Sequence, residues 1–307
     1  MRSVAHARPA ARNDISSRMS VSEGGTRPVA EPALAPAFAP AFAPAFAPAF
    51  APAFTIGEVV SRLDAIIDRA RRDGDRCGYF AALYRVVTVA VQQGIAARRF
   101  EDGARMERLD VVFANRYLEA LDSYRRGGAP TRSWYAAFDA ASSRRVVILQ
   151  HLLLGMNAHI NLDLGIAAAE VCPGPDIAQL ERDFMAINTL LAELETGVER
   201  EICSLSPWID RLAHIDPRVG RVVANFSMEK ARDCAWRTAL RLAPLSDAER
   251  SEAIRGIDAE VALLGGLVRR PVGYVINFNL ILVRLRETWD VRKVIAVLAG
   301  MAPPARG

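Results

Sequence analysis

Residues 146–166 read V-V-I-L-Q-H-L-L-L-G-M-N-A-H-I-N-L-D-L-G-I, and positions 146–162 hold no Asp, Glu, Lys or Arg. A run this apolar has to be withdrawn from water. It is too long for one strand and shows no period-two alternation, so the spacing predicts a buried helix with the rest of the fold wrapped around it. It is short for a bilayer span and contains two His and two Asn, which favours a core helix over a membrane helix. His151, Asn157, His159, Asn161 and Asp163 therefore fall inside an apolar segment, where each must be satisfied or used.

The flanking sequence is helical almost throughout. Apolar residues recur at helical spacing over 56–73, 79–98, 102–125, 131–142 and 177–203. Cys172-Pro173-Gly174-Pro175 breaks the chain, and Asp176 is placed to cap the helix after it. Ser206-Pro207 and Asp216-Pro217 each read as a cap followed by a first-turn proline, opening helices at 207–214 and 217–241. Ser246-x-x-Glu249 is a capping box opening 247–269. Residues 272–298 are expected as two helices split near Glu287, a strand over 272–285 being the alternative. The fold class is all-α: about eight to ten helices bundled around the central one.

Residues 1–54 stand apart. Five consecutive A-P-A-F units fill 35–54, and proline at every fourth position excludes a helix. Residues 1–34 show no apolar period. The expected organisation is a disordered tail over 1–54 and a single helical domain over 55–307. The tail takes five Arg and three acids, which leaves the domain 34 basic and 32 acidic groups. Such a balance gives no electrostatic case for nucleic acid. Cys77, Cys172, Cys203 and Cys234 are widely spaced with no C-x-x-C, as expected of buried thiols in a reducing compartment. Without an apolar signal region near the N-terminus, the expected location is the cytoplasm.

On an α-helix each residue turns about 100 degrees, so with His151 at zero, His159 lies near 80 and Asp163 near 120, whereas Asn157 and Asn161 lie near 240 and 280. His151, His159 and Asp163 form one stripe, and the two asparagines face elsewhere. His159 and Asp163, four apart, can meet one divalent metal ion or each other. His151 is about 12 Å along the axis from His159, too far for the same mononuclear site but suited to catalysis or a second metal. Asp210-x-x-x-His214 repeats the His/Asp spacing, and Asp110, Asp183 and Asp233 each border an apolar stripe. Asp110 and Asp183 are the candidate acid/base partners of His151. Asn157, Asn161, Asn188, Asp233 and His214 are the candidate structural polar network.

No H-E-x-x-H, G-x-S-x-G, P-loop or G-x-G-x-x-G occurs. Glu-x-x-His is absent too, against a ferritin-like di-iron bundle, as is a His-Asp dipeptide, against the common helical phosphohydrolases. Several segments together resemble a bacterial domain-of-unknown-function family, number five-nine-nine-five. They are F-A-A-L-Y-R-V-V-T at 80–88, F-E-D-G-A-R-M-E-R-L-D-V-V-F-A-N-R-Y at 100–117, G-M-N-A-H-I-N-L-D-L at 155–164, D-F-M-A-I-N at 183–188 and A-R-D-C-A-W at 231–236. The resemblance spans roughly 57–285 and implies a helical fold, with no activity to carry over. Two readings stand. One is a helical enzyme, metal-dependent and hydrolytic, with its His/Asp site on the central helix. The other is a non-catalytic small-molecule-binding or protein-interaction module, in which the buried His, Asn and Asp are structural.

Overall fold

The computed structural model describes residues 50–206 and 228–300. Among these the chain is helical and has no strand; the stretch from 272, where a strand was the alternative, is helical from Tyr274. The helices are α1 Ile56–Asp73, α2 Cys77–Ala96, α3 Gly103–Arg125 and α4 Arg132–Ser142, then the central helix, α5 Ile148–Met156, a π-helical stretch Asn157–Leu164 and α6 Gly165–Val171. After a 3-10 turn at Gly174–Asp176 come α7 Ile177–Leu205, α8 Met228–Leu242, α9 Asp247–Arg269, α10 Tyr274–Arg286 and α11 Val291–Ala299. The helices expected at 207–214 and in the first half of 217–241, with Asp210 and His214, lie outside the described residues.

Local chemistry sets several boundaries. Thr55 caps α1 by accepting from the Glu58 amide at 3.2 Å, and Gly74 ends it at a φ of 66°, a left-handed turn that only glycine adopts freely. Asp102 caps α3 through the Arg105 amide at 2.9 Å. Glu249 accepts from the Ser246 amide at 3.0 Å, completing its half of the expected capping box. Asp176 does not cap α7: it has helical backbone angles, and its carboxylate accepts from the Gln179 side chain at 3.0 Å.

The domain also begins earlier than expected. Phe50–Phe54, the end of the A-P-A-F tract, lies along the helices. The Ala53 amide donates to Asn115 at 2.8 Å, the Asn115 side chain donates back to the Ala53 carbonyl at 2.9 Å, and Arg62 holds the carbonyls of Ala51 and Pro52. A single asparagine thus pairs both polar groups of one backbone unit, as a neighbouring strand would. The side chain that does so lies far along the chain, out of reach of a proline count.

The central helix carries the core. Leu152, Leu162, Ile166, Ala167, Ala168 and Ala169 are fully buried, each large one contributing on the order of 1.5–3 kcal/mol. α2, α3, α4, α8 and α9 pack against the central helix. Ile148–Val171 is the one stretch among the described residues long and apolar enough to cross a membrane, but 89% of its apolar window is buried inside the protein. Glu287 anchors its start, accepting from the Ile148 amide at 3.1 Å and from the Ser206 hydroxyl. An anion there complements the positive end of the helix.

Two glycines set how closely the neighbours approach. A Cβ on Gly155 would stand 2.5 Å from the Phe80 ring, and one on Gly165 would stand 2.7 Å from the Ala235 carbonyl of α8. The π-helical turn lies between these two close approaches. π-helical insertions are rare and recur at functional sites, which directs attention to the side chains of Asn157–Leu164.

Candidate functional site

His159 stands at the centre of an aromatic cage. Its imidazole stacks on Phe113 with ring centroids 3.5 Å apart and planes within 9°, and Tyr84 meets it edge-on at 4.3 Å. Phe80, Trp134 and Tyr117 close the remaining sides at 5.6, 6.0 and 6.2 Å. Among the described residues neither ring nitrogen has a hydrogen-bond partner. Burial in this apolar shell disfavours the imidazolium and lowers the pKa, so the ring is neutral at pH 7.

Asp163 is one turn on, with its Oδ2 3.7 Å from His159 Nδ1, too far for a hydrogen bond. Its oxygens have other partners. The Trp134 indole donates to Oδ2 at 2.7 Å and Arg116 donates to Oδ1 at 2.9 Å. Arg116 also reaches Glu170 at 3.4 Å, so the buried carboxylate is paired with a cation that leads out toward solvent. Asp163 joins the central helix to α3 and α4 and biases the His159 ring electrostatically.

Asp110, on α3, is buried within electrostatic reach of Tyr84. Burial raises its pKa to about 7, with Glu107 adding to the shift, and its Oδ2 has no partner. The Tyr84 and Tyr117 hydroxyls are likewise buried and unpartnered, with pKa values raised by burial. Tyr84 feels both Asp110 and Asp163, so one buried cluster joins His159, Asp163, Tyr84, Tyr117 and Asp110.

The remaining candidates lie elsewhere. His151 sits two turns back, edge-on to Tyr79 at 5.7 Å, and burial lowers its pKa to about 3. Its unpartnered Nε2 belongs beside a cavity of about 20 Å³ lined by Arg76, Phe80, Trp134 and Gly155, room for one water. Asp183 does not assist it. That carboxylate accepts from the Glu101 and Asp102 amides at 2.6 and 3.1 Å and from Arg105 at 2.8 Å, tying α7 to the start of α3. Asn157 donates to the Val261 carbonyl of α9 at 2.9 Å, and Asn161 donates to Asn157 at 2.9 Å. Asn188 accepts from Arg232, which also donates to the Phe184 carbonyl at 2.5 Å. Asp233 and Cys234 are exposed, so neither is the buried group expected. Among the described residues no three His, Cys, Asp or Glu side chains assemble as a metal-holding group, and the His151/His159/Asp163 metal set does not form.

A larger space opens behind the π-helical turn. α8 is pressed onto the central helix at Gly165, and α9 meets it where Gly265 faces Asn157 and Leu154. Both pack mainly on the central helix and meet each other at the connection between them, where Arg250 of α9 donates to the Leu242 carbonyl of α8 at 3.4 Å; a groove of about 360 Å³ opens between them. Cys234, Arg237, Thr238 and Arg241 line the α8 wall; Ile257, Glu260, Val261 and Leu264 line the α9 wall; Asn161 forms its inner end.

Arg116 and the aromatic wall were absent from the sequence candidates. Arg116 sits three residues after Phe113, an arginine beside an aromatic stripe, and that was the available signal. The groove leaves no such trace, because it forms between two helices that both pack on a third.

Residues 56–271 match a family described as a family of unknown function (DUF5995). That span takes in the aromatic cage and both groove walls and stops before α10. No curated protein and no solved structure matches the chain.

Proposed function

The chain belongs to this DUF5995 family, and we propose that it is a small-molecule-binding helical domain whose ligand lies in the α8–α9 groove against Asn161. The comparison of volumes carries this reading. The cavity beside His151 measures about 20 Å³ and the groove about 360 Å³; small-molecule sites occupy roughly 300–1,000 Å³. The His159 ring is packed among five aromatic side chains. In this reading Asp163 and Asn157 bind helices together, and the groove is the working surface. Isotope-labelled protein screened against small organic fragments tests it. The amides of Asn161, Thr238 and Val261 are expected to shift first; shifts centred on Phe80, Trp134 and His151 would overturn the reading.

One observation favours a second reading, an acid–base enzyme. Five unpartnered buried polar atoms belong to Tyr84, Asp110, Tyr117 and His159, and such groups concentrate at functional sites. A neutral imidazole and a carboxyl group whose pKa is raised to about 7, each in reach of Tyr84, are chemically suited to acid–base work once the aromatic wall opens. Hydrolysis of small esters that disappears in both His159→Phe and Asp110→Asn would replace the binding reading with this one.

A further inference from the structure

We infer that the groove ligand is a singly charged carboxylate with an apolar body; this rests on the binding reading above. Arg237 and Arg241 stand one turn apart on α8, both exposed at the groove wall. The domain's other mid-helix arginines are commonly paired, as Arg85 is with Asp64 and Arg116 with Asp163. Among the described residues Arg237 and Arg241 have neither a hydrogen bond nor an ion pair. Like charges at this spacing repel, and an anion between them converts that repulsion into charge-assisted hydrogen bonds. The planar guanidinium fork suits a carboxylate in particular.

The opposite wall limits the charge. Glu260 faces the same groove without pairing to either arginine, so it repels a dianionic phosphate more than a monoanion while accepting a hydrogen bond from any ligand hydroxyl or ammonium. Apolar surface supplies the rest. Ile257, Val261 and Leu264 recur along α9 as one strip on the groove, with Leu264 42% exposed. Asn161 closes the inner end, its Nδ2 committed to Asn157 and its carbonyl oxygen left for the ligand. Charged rim, apolar wall and polar end together fit a medium-chain carboxylate.

Calorimetric titration of the full chain with decanoate, decyl phosphate, decanol and decyltrimethylammonium, each below its micelle concentration, tests this class. Decanoate is expected to bind at least tenfold tighter than decanol and than decyl phosphate, and the ammonium salt not to bind. The double variant Arg237→Ala/Arg241→Ala, its folding checked by circular dichroism, should lose at least tenfold in decanoate affinity. Glu260→Gln should bring decyl phosphate up to decanoate. Decanol binding as tightly as decanoate, with a Leu264→Trp variant abolishing both, would overturn the anion assignment and leave the groove reading intact. Failure of all four to bind, or decanoate binding that Leu264→Trp does not change, would overturn both.

Discussion

The imidazole of His159 lies face to face with the ring of Phe113, centroids 3.5 Å apart and planes within 9°. A ring held in this way is part of the packing, and both of its nitrogens are left without partners. Buried polar groups without partners cost roughly 1–3 kcal/mol each. An aromatic hydrocarbon of similar shape avoids that cost, so His159→Phe should be as stable as wild type or more stable by about 1–3 kcal/mol. Urea unfolding followed by circular dichroism measures it, and a loss of similar size would mean that the imidazole makes an essential hydrogen bond.

Asp163 should behave in the opposite way. Asp163→Asn keeps an acceptor for the Trp134 indole but removes the charge opposite Arg116. Breaking a fully buried pair costs about 3–5 kcal/mol. Arg116 is 23% exposed and partly hydrated, so the expected loss is nearer 1–3 kcal/mol. The same urea experiment tests it, and a change in Trp134 fluorescence should accompany the loss.

Glycine substitutions separate packing from propensity. At Gly155 a new methyl would stand 2.5 Å from Phe80, whose ring is held by Tyr84, Tyr117, Trp134 and His159. Gly155→Ala is expected to cost about 1–3 kcal/mol or more by overpacking. Gly256, on α9, has open space where a Cβ would go, so Gly256→Ala should stabilise by about 0.4–1 kcal/mol. Thermal unfolding of the two variants gives shifts of opposite sign if the helix contacts are as described.

Asp110 gives the domain a pH signature. Its carboxyl holds a proton up to about pH 7, whereas an unburied aspartate releases it near 3.8. Between those values the unfolded chain binds fewer protons than the folded one, so stability falls as pH rises from about 4 to 7. Asp110→Asn lacks that group, and its stability advantage over wild type should grow across the same window. His151, held neutral down to about 3, destabilises the wild type and the variant alike as pH falls below about 6.5, so it cancels in the difference. Parallel stability curves between pH 4 and 7.5 would remove Asp110 from the account.

The helical class and most helix boundaries were legible because apolar spacing, prolines and caps act locally. Gly74 ends α1 where an Asp-Gly pair says it should. Phe50–Phe54 and Asp183 owe their places to distant partners instead. Asn115 pairs with Ala53 across 62 residues, and Arg105 pairs with Asp183 across 78. A π-helical turn within N-A-H-I-N-L-D-L is also invisible to a fixed 100 degrees per residue. Of the three carboxylates beside apolar stripes, Asp183 meets its partners only through the fold, Asp110 is buried with its Oδ2 unpartnered, and Asp233 is exposed.

The most direct test of the central claim compares one ligand on three proteins. The tightest fragment found for the wild type should be titrated calorimetrically into wild type, Leu264→Trp and His159→Phe. Leu264→Trp fills the groove and should weaken binding at least tenfold, while His159→Phe should bind as the wild type does. Binding that survives Leu264→Trp and disappears in His159→Phe would contradict the account and move the site to the aromatic cage.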